Sequence, residues 1–222
     1  MIKIIILFLS LISFFCTKKE KLITENFNSN PDTTITFEQY ETGKLPDGWT
    51  PEITGKQEKA AWIITEDNVN KVVSKSSGNN SGGNFNLLIL GSPKYKNLRM
   101  SVKIKAISGE EDQGGGLIWR YADRNNYYIA RANPLERDFR LYRVINGKRE
   151  QFESANVTFK PGEWFTISIE MNDNLIKCFL NGKEEIEYKD DDNTFTGEGN
   201  VGLWTKADAV SYFDDLMIEK LK

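Results

Sequence analysis

The side chains able to do chemistry fall into a few stretches. Glu111 and Asp112, followed by Glu136 and Asp138, supply carboxyl groups of the kind that divide general-acid and general-base work. Arg120, Tyr128, Arg140, Tyr142, Trp204 and Lys206 add cations and polar-tipped rings. That is the chemistry of sugar recognition: rings lie against the apolar faces of pyranoses, and guanidinium forks donate paired hydrogen bonds to hydroxyls or carboxylates. Asp190-Asp191-Asp192 lacks the glycine and terminal glutamate of an EF-hand loop and reads as solvated.

What is missing excludes more. The 222 residues contain no histidine, so a histidine base, a Ser/His/Asp triad and an imidazole-ligated zinc are all ruled out. In an enzyme, proton transfer would fall to Glu111, Asp112, Glu136 or Asp138, or to a tyrosine or lysine. Cys16 and Cys178 cannot build a zinc site, and no disulfide is expected between them. With 29 basic and 32 acidic residues the net charge is −3, and outside the N-terminal segment no basic run exceeds the pair Lys18-Lys19, so nucleic acid is not an expected partner.

The chain opens MIKIIILFLSLISFFC. The apolar run from Ile4 to Phe15 falls short of the roughly 20 residues a membrane-spanning helix needs and suits a secretory signal, so export is expected. Cys16 at its end, followed by TKKEK, resembles a lipoprotein signal in which the cysteine carries the lipid. Phe14-Phe15 stand where that pattern calls for a small residue, which leaves an uncleaved anchor or a loosely specified cleavage site as alternatives. The expected division is a signal over 1–15, a tether over 16–33 and one folded domain over 34–222, placed in the cell envelope by its anchor.

The elements that must position these groups are strands. From Thr34 onward no window keeps a helical period, whereas short alternating runs recur between turn signals. In PGEWFTISIEMNDNLIKCFLNGKEEIEY, Phe165, Ile167, Ile169 and Met171 alternate with polar residues, and Ile176, Cys178 and Leu180 alternate again before Asn181-Gly182. Asn-Gly favours a type I′ hairpin because both residues tolerate positive φ, and Asn146-Gly147 repeats the signal. Cys178 falls on the apolar phase and reads as a small buried hydrophobe. About a dozen such strands predict an all-β, two-sheet antiparallel sandwich.

WFTISIE with IKCFLNGK resembles the Trp-led strand and Asn-Gly hairpin of laminin-G-like and concanavalin A-like jelly rolls. GKLPDGW, AWIIT, GGGLIWRYADRNNYYIAR, FRLYRVINGKREQF and GLWTKADAVSYFDD resemble exported bacterial concanavalin A-like modules related to the 3-keto-disaccharide hydrolase, or laminarinase-like, family. The resemblance covers roughly residues 34 to 221. It implies a carbohydrate-recognising jelly roll, with a keto-disaccharide hydrolase or a protein-interaction module as alternatives. Jelly rolls of this kind often hold a structural Ca²⁺ through a C-terminal aspartate, a role the resemblance implies for Asp214 or Asp215, with a solvated turn carboxylate as the plainer alternative. Laminarinase-type enzymes carry an ExDxxE strand. The nearest approach here, Glu110-Glu111-Asp112-Gln113-Gly114-Gly115, has Gly115 in place of the second glutamate, so that chemistry is not carried over.

Strand parity then sorts the faces. Taking Ala122 to Asn126 as a five-residue loop sets Tyr121 against Tyr127, placing Arg120 and Tyr128 on one side and Trp119, Tyr127 and Arg131 on the other. The same alternation groups Arg140 with Tyr142, and Trp204 with Lys206. The expectation is that Arg120, Tyr128, Arg140, Tyr142, Trp204 and Lys206 gather on a concave sheet facing an oligosaccharide. The plainer account has these arginines bridging neighbouring strands to carboxylates.

Overall fold

The computed structural model describes residues 31–76 and 81–222. The expected signal, Cys16 and nearly all of the tether lie outside the described residues. Within them there are fifteen strands and no helix. In chain order these are β1 (Thr33–Ile35), β2 (Trp49–Thr54), β3 (Trp62–Asp67), β4 (Asn70–Lys75), β5 (Phe85–Tyr95), β6 (Leu98–Ser108), β7 (Gly115–Asp123), β8 (Asn126–Asn133), β9 (Asp138–Ile145), β10 (Lys148–Asn156), β11 (Trp164–Asn172), β12 (Leu175–Leu180), β13 (Lys183–Lys189), β14 (Gly199–Lys206) and β15 (Val210–Lys220). The first sheet runs β13-β12-β11-β6-β15-β4-β3 with β1 added to β15, and the second runs β10-β9-β8-β7-β14-β5-β2. All pairings are antiparallel. The chain is therefore the expected all-β sandwich.

Alternation builds the space between the sheets. Phe165, Ile167, Ile169 and Met171 of β11 pack with Met100, Val102 and Ile104 of β6 against Leu117 and Trp119 of β7, Tyr128 and Ala130 of β8, and Leu141 of β9. Each large apolar side chain buried there stabilises the fold by about 1.5–3 kcal/mol. Both Asn-Gly turns have positive φ at both residues, 52° and 77° at Asn146-Gly147, 49° and 79° at Asn181-Gly182, as a type I′ hairpin requires. Cys178 is fully buried, and burial pushes its thiol up from its ordinary value, so it is an inert core residue.

The second sheet is apolar on both faces. Phe85, Leu87, Ile89, Ile118, Tyr127, Ile129, Tyr142, Val144 and Trp204 occupy the opposite phase of β5, β7, β8, β9 and β14 and form a second buried cluster. They lie on the face turned away from the first sheet. A strand buried on both sides reads as an unbroken apolar run, which is why NFNLLIL and YYIA show little alternation.

One register differs from the parity expectation. Ile118 pairs with Ile129 and Trp119 with Tyr128, and the next pair is Asp123 with Asn126. The turn is thus two residues, Arg124 and Asn125, and the mismatch is absorbed by an irregularity in β7 where Arg120 takes φ 46°. A one-residue shift in pairing exchanges the faces of a whole strand. Tyr127, Ile129 and Arg131 therefore join Ile118 on the outer face of the second sheet, and Tyr128 turns into the inter-sheet core.

Candidate functional site

The outer face of the second sheet carries an ionic cluster at one end of its apolar floor. Arg131 stands at its centre, nearly fully buried. It pairs across the sheet with Gly116 of β7 and Arg140 of β9, and Gly116 pairs on its other side with Trp204 of β14. Glycine is required at 116 because a Cβ there would lie 2.4 Å from the Ala130 carbonyl oxygen. Arg131 Nη2 donates to Asp112 Oδ2 at 3.1 Å, and the same oxygen accepts from Lys206 Nζ at 3.1 Å. Arg131 Nη1 reaches Glu136 Oε2 at 3.3 Å and Asp138 Oδ1 at 3.5 Å. Arg140 closes the group, with Nη1 at 3.2 Å from Glu136 Oε2 and Nη2 at 2.6 Å from Asp138 Oδ2.

Asp112 holds this position through its loop. Its backbone N–H and those of Glu110 and Glu111 all donate to the Asp208 carboxylate, at 2.6 to 3.2 Å. Burial raises the Asp208 carboxyl, and these three amides more than offset it, leaving Asp208 below its ordinary range. Asn133 Nδ2 donates to Asp112 Oδ1 at 3.3 Å.

Glu136 and Asp138 are inequivalent. Burial pushes Asp138 up from 3.8 to about 6, opposed by Arg131 and Arg140 and reinforced by its hydrogen bond with Glu136. Glu136 feels burial as well, but Arg131, the hydrogen bond with Asp138 and Arg140 together outweigh it and hold that carboxyl below its ordinary value. The pair thus has one member that keeps its proton up to about pH 6 beside one that gives it up early, which is the kind of division acid–base catalysis uses.

Beside this cluster the aromatic floor is capped from within. The Arg149 guanidinium lies 4.3 Å from the Tyr142 ring centroid, 5.0 Å from Phe85 and 5.8 Å from Trp204. Such contacts are worth about 2 kcal/mol when desolvated. Burial lowers the Arg149 pKa, yet an arginine stays cationic at neutral pH. Solvent reaches the site at Glu136 and Arg140, whose side chains are 37% and 32% exposed, and at half-buried Lys206.

Of the six binding residues expected from sequence, Arg140, Tyr142, Trp204 and Lys206 share this face. The placement of Arg120 and Tyr128 is corrected. Arg120 is buried at the irregularity in β7, where it donates to the carbonyls of Lys96 (3.0 Å), Asp173 (2.6 Å) and Phe195, and to Asn97 Oδ1 (3.4 Å). It pins loops rather than facing the cluster. Tyr128 stacks on Trp119 in the inter-sheet core and donates to Asp190 Oδ2 at 2.5 Å. The Asp190 carboxylate is accordingly a buried acceptor, which corrects its reading as a solvated turn residue.

Among the carboxylates, Asp112, Glu136 and Asp138 converge, while Glu111 turns away and accepts from the Gly82 N–H at 2.6 Å. Asp214 accepts from Asn70 Nδ2 at 2.8 Å, and Asp215 pairs with Lys103 at 2.7 Å. Among the described residues no three acidic or cysteine side chains converge as a metal site. Arg131 and Arg149 were absent from the expected set. Arg131 was hidden by the loop length. Arg149 was legible, since the Asn146-Gly147 turn pairs Val144 with Arg149 and puts it on Tyr142's face.

A family model described as a 3-keto-alpha-glucoside-1,2-lyase-like domain matches residues 36–219. No curated protein sequence matches the chain. Among solved structures, the carbohydrate binding module CBM66 from Bacillus subtilis is similar with a TM-score of 0.62 at 20% identity, over 78% of this chain and 96% of its own. The Bacteroides ovatus mixed linkage glucan GH16, in complex with a G4G4G3G product, gives 0.61 at 11% identity, over 84% and 99%. A Bacillus subtilis protein of unknown function with a galectin-like fold gives 0.60 at 11% identity, over 78% and 89%. At these identities the likeness is one of fold.

Proposed function

The chain belongs to the 3-keto-alpha-glucoside-1,2-lyase-like domain family, and on that premise we propose that the outer face of its second sheet receives a carbohydrate. The observation that carries this reading is the cluster itself: Arg131, Arg140 and Lys206 interleave with Asp112, Glu136 and Asp138 beside an aromatic floor, open to solvent at Arg140 and Glu136. Forked donors and carboxylate acceptors side by side match the alternating hydroxyls of a sugar. Similarity in fold to a carbohydrate binding module and to a glucan-bound GH16 protein supports the same use of the sandwich. A glycan panel read by calorimetry tests it. Arg140→Ala and Lys206→Ala should each weaken the bound glycan by about 1.5–3 kcal/mol while circular dichroism stays unchanged. Wild-type silence across neutral, keto and acidic glycans would sink the proposal.

Turnover is a second reading, favoured by the inequivalent Glu136 and Asp138. In a 3-keto-glucoside the carbonyl acidifies the proton at C2. A carboxylate removing that proton forms the C1–C2 double bond as the C1–O bond breaks, and the leaving oxygen takes a proton from an acid. Product analysis on 3-keto-glucosides with Asp138→Asn and Glu136→Gln separates turnover from binding alone.

The pair also makes a stability prediction. The folded-state pKa of Asp138 is raised, so its contribution to stability is fully present below 3.8 and is lost as pH rises through about 6. Glu136, held low, contributes above its ordinary value and loses that as pH falls through its depressed one. Asp138→Asn should therefore remove part of the fall in melting temperature between the two Asp138 values. An unchanged pH profile would show that Asp138 titrates normally.

We further propose that Cys16 is lipidated and holds the domain at the cell envelope. Cys16→Ser should move the protein from the membrane to the soluble fraction and abolish palmitate labelling. Retention of both in the variant would reject the anchor.

A further inference from the structure

Arg149 differs from the other cations on this face. Asp112 answers Arg131 and Lys206, and Glu136 with Asp138 answers Arg140. Among the described residues no carboxylate lies within ion-pair distance of Arg149, which meets only aromatic faces there. Its Nη1 is buried without a hydrogen-bond partner, as are Nε of Arg131 and Nε of Arg140. A buried donor left unmade costs about 1–3 kcal/mol, more when charged, so Arg149 Nη1, which has no acceptor among the described residues, is the donor on this face that calls for one. The rings that would stack on a neutral pyranose already carry the guanidinium. What this face offers is a planar guanidinium whose Nη1 has no oxygen partner, on a surface where four cations meet three carboxyls.

We infer that the site takes a carbohydrate bearing a carboxylate, a uronic acid unit, with Arg149 as the group that receives its negative charge. This rests on the carbohydrate reading above and narrows its substrate class. A carboxylate supplies two coplanar acceptors matching the guanidinium fork, and it balances the odd cation. Tyr142, Phe85 and Trp204 hold the fork in place, so little side-chain freedom is lost on binding.

The test compares oligogalacturonate, alginate oligomers and glucuronoxylo-oligosaccharides, each with its own methyl ester, alongside neutral glucans, by calorimetry on the wild-type protein. At least one acid should bind roughly tenfold or more tighter than its ester, and the difference should shrink with added salt. Arg149→Gln should abolish that preference while weakening the ester little, and Arg149→Lys should restore only part of it, because an ammonium lacks the fork. Equal binding of acid and ester, or an acid preference that survives Arg149→Gln, would overturn the inference. Neutral glucans binding while every acid is silent would overturn it and leave the carbohydrate reading intact. Silence on all glycans would overturn both. The comparison of acid with ester needs no variant, so a poorly folding Arg149→Gln does not remove the test.

Discussion

Asp112→Ala should destabilise the protein by about 3–5 kcal/mol, the cost of breaking a buried ion pair by removing one partner. Asp112 and Arg131 are each 1% exposed, so neither charge can fall back on water when the other is lost. The single Asp112 Oδ2 also answers Lys206, and Oδ1 takes the Asn133 amide. Its removal leaves Arg131, Arg140, Arg149 and Lys206 facing two carboxyls, one of which holds a proton up to about pH 6. Arg131→Met placed on top should recover part of the loss, because it removes the stranded charge while keeping much of the apolar stem. Chemical denaturation of the two single variants and the double closes the cycle. A midpoint for Asp112→Ala equal to wild type, or strict additivity in the double, would show that the two side chains do not act as a unit.

Gly115→Glu should fail to give folded protein. This substitution restores the glutamate that a laminarinase strand would carry, and the packing at 115 leaves no room for it. A Cβ at 115 would lie 2.7 Å from the Phe213 ring, on the phase shared with Leu117 and Trp119 between the sheets. The carboxylate would enter an apolar core with no cation beside it, at several kcal/mol for the unpaired charge and about 1–3 kcal/mol for overpacking. Gly115→Ala bears the overpacking alone and should fold with a lowered melting temperature. Soluble, cooperatively melting Gly115→Glu would mean that the core at β7 yields far more than its packing suggests.

Much of this molecule could be read without coordinates. The absence of histidine, the apolar alternation in β11 and β12 and the two Asn-Gly turns are local facts, and local facts give strands, hairpins and the exclusion of whole reaction classes. The pairing of Arg140 with Tyr142 and of Trp204 with Lys206 followed from parity within single strands, where no register enters. Asp112, Glu136 and Asp138 were legible as acids because few other groups were left to move a proton.

What the tertiary structure decided is how strands match one another. A two-residue turn with an irregularity at Arg120, in place of a five-residue loop, exchanged Tyr128 for Arg131 on the outer face, since a shift of one residue reverses every side chain of a strand with period two. The sequence names the charges, and composition counts them as nearly balanced. Only the packing of β7, β8, β9, β10 and β14 shows that Asp112, in the loop before β7, meets Arg131 on β8, and that Arg149 is left over aromatic rings with no carboxylate of its own among the described residues.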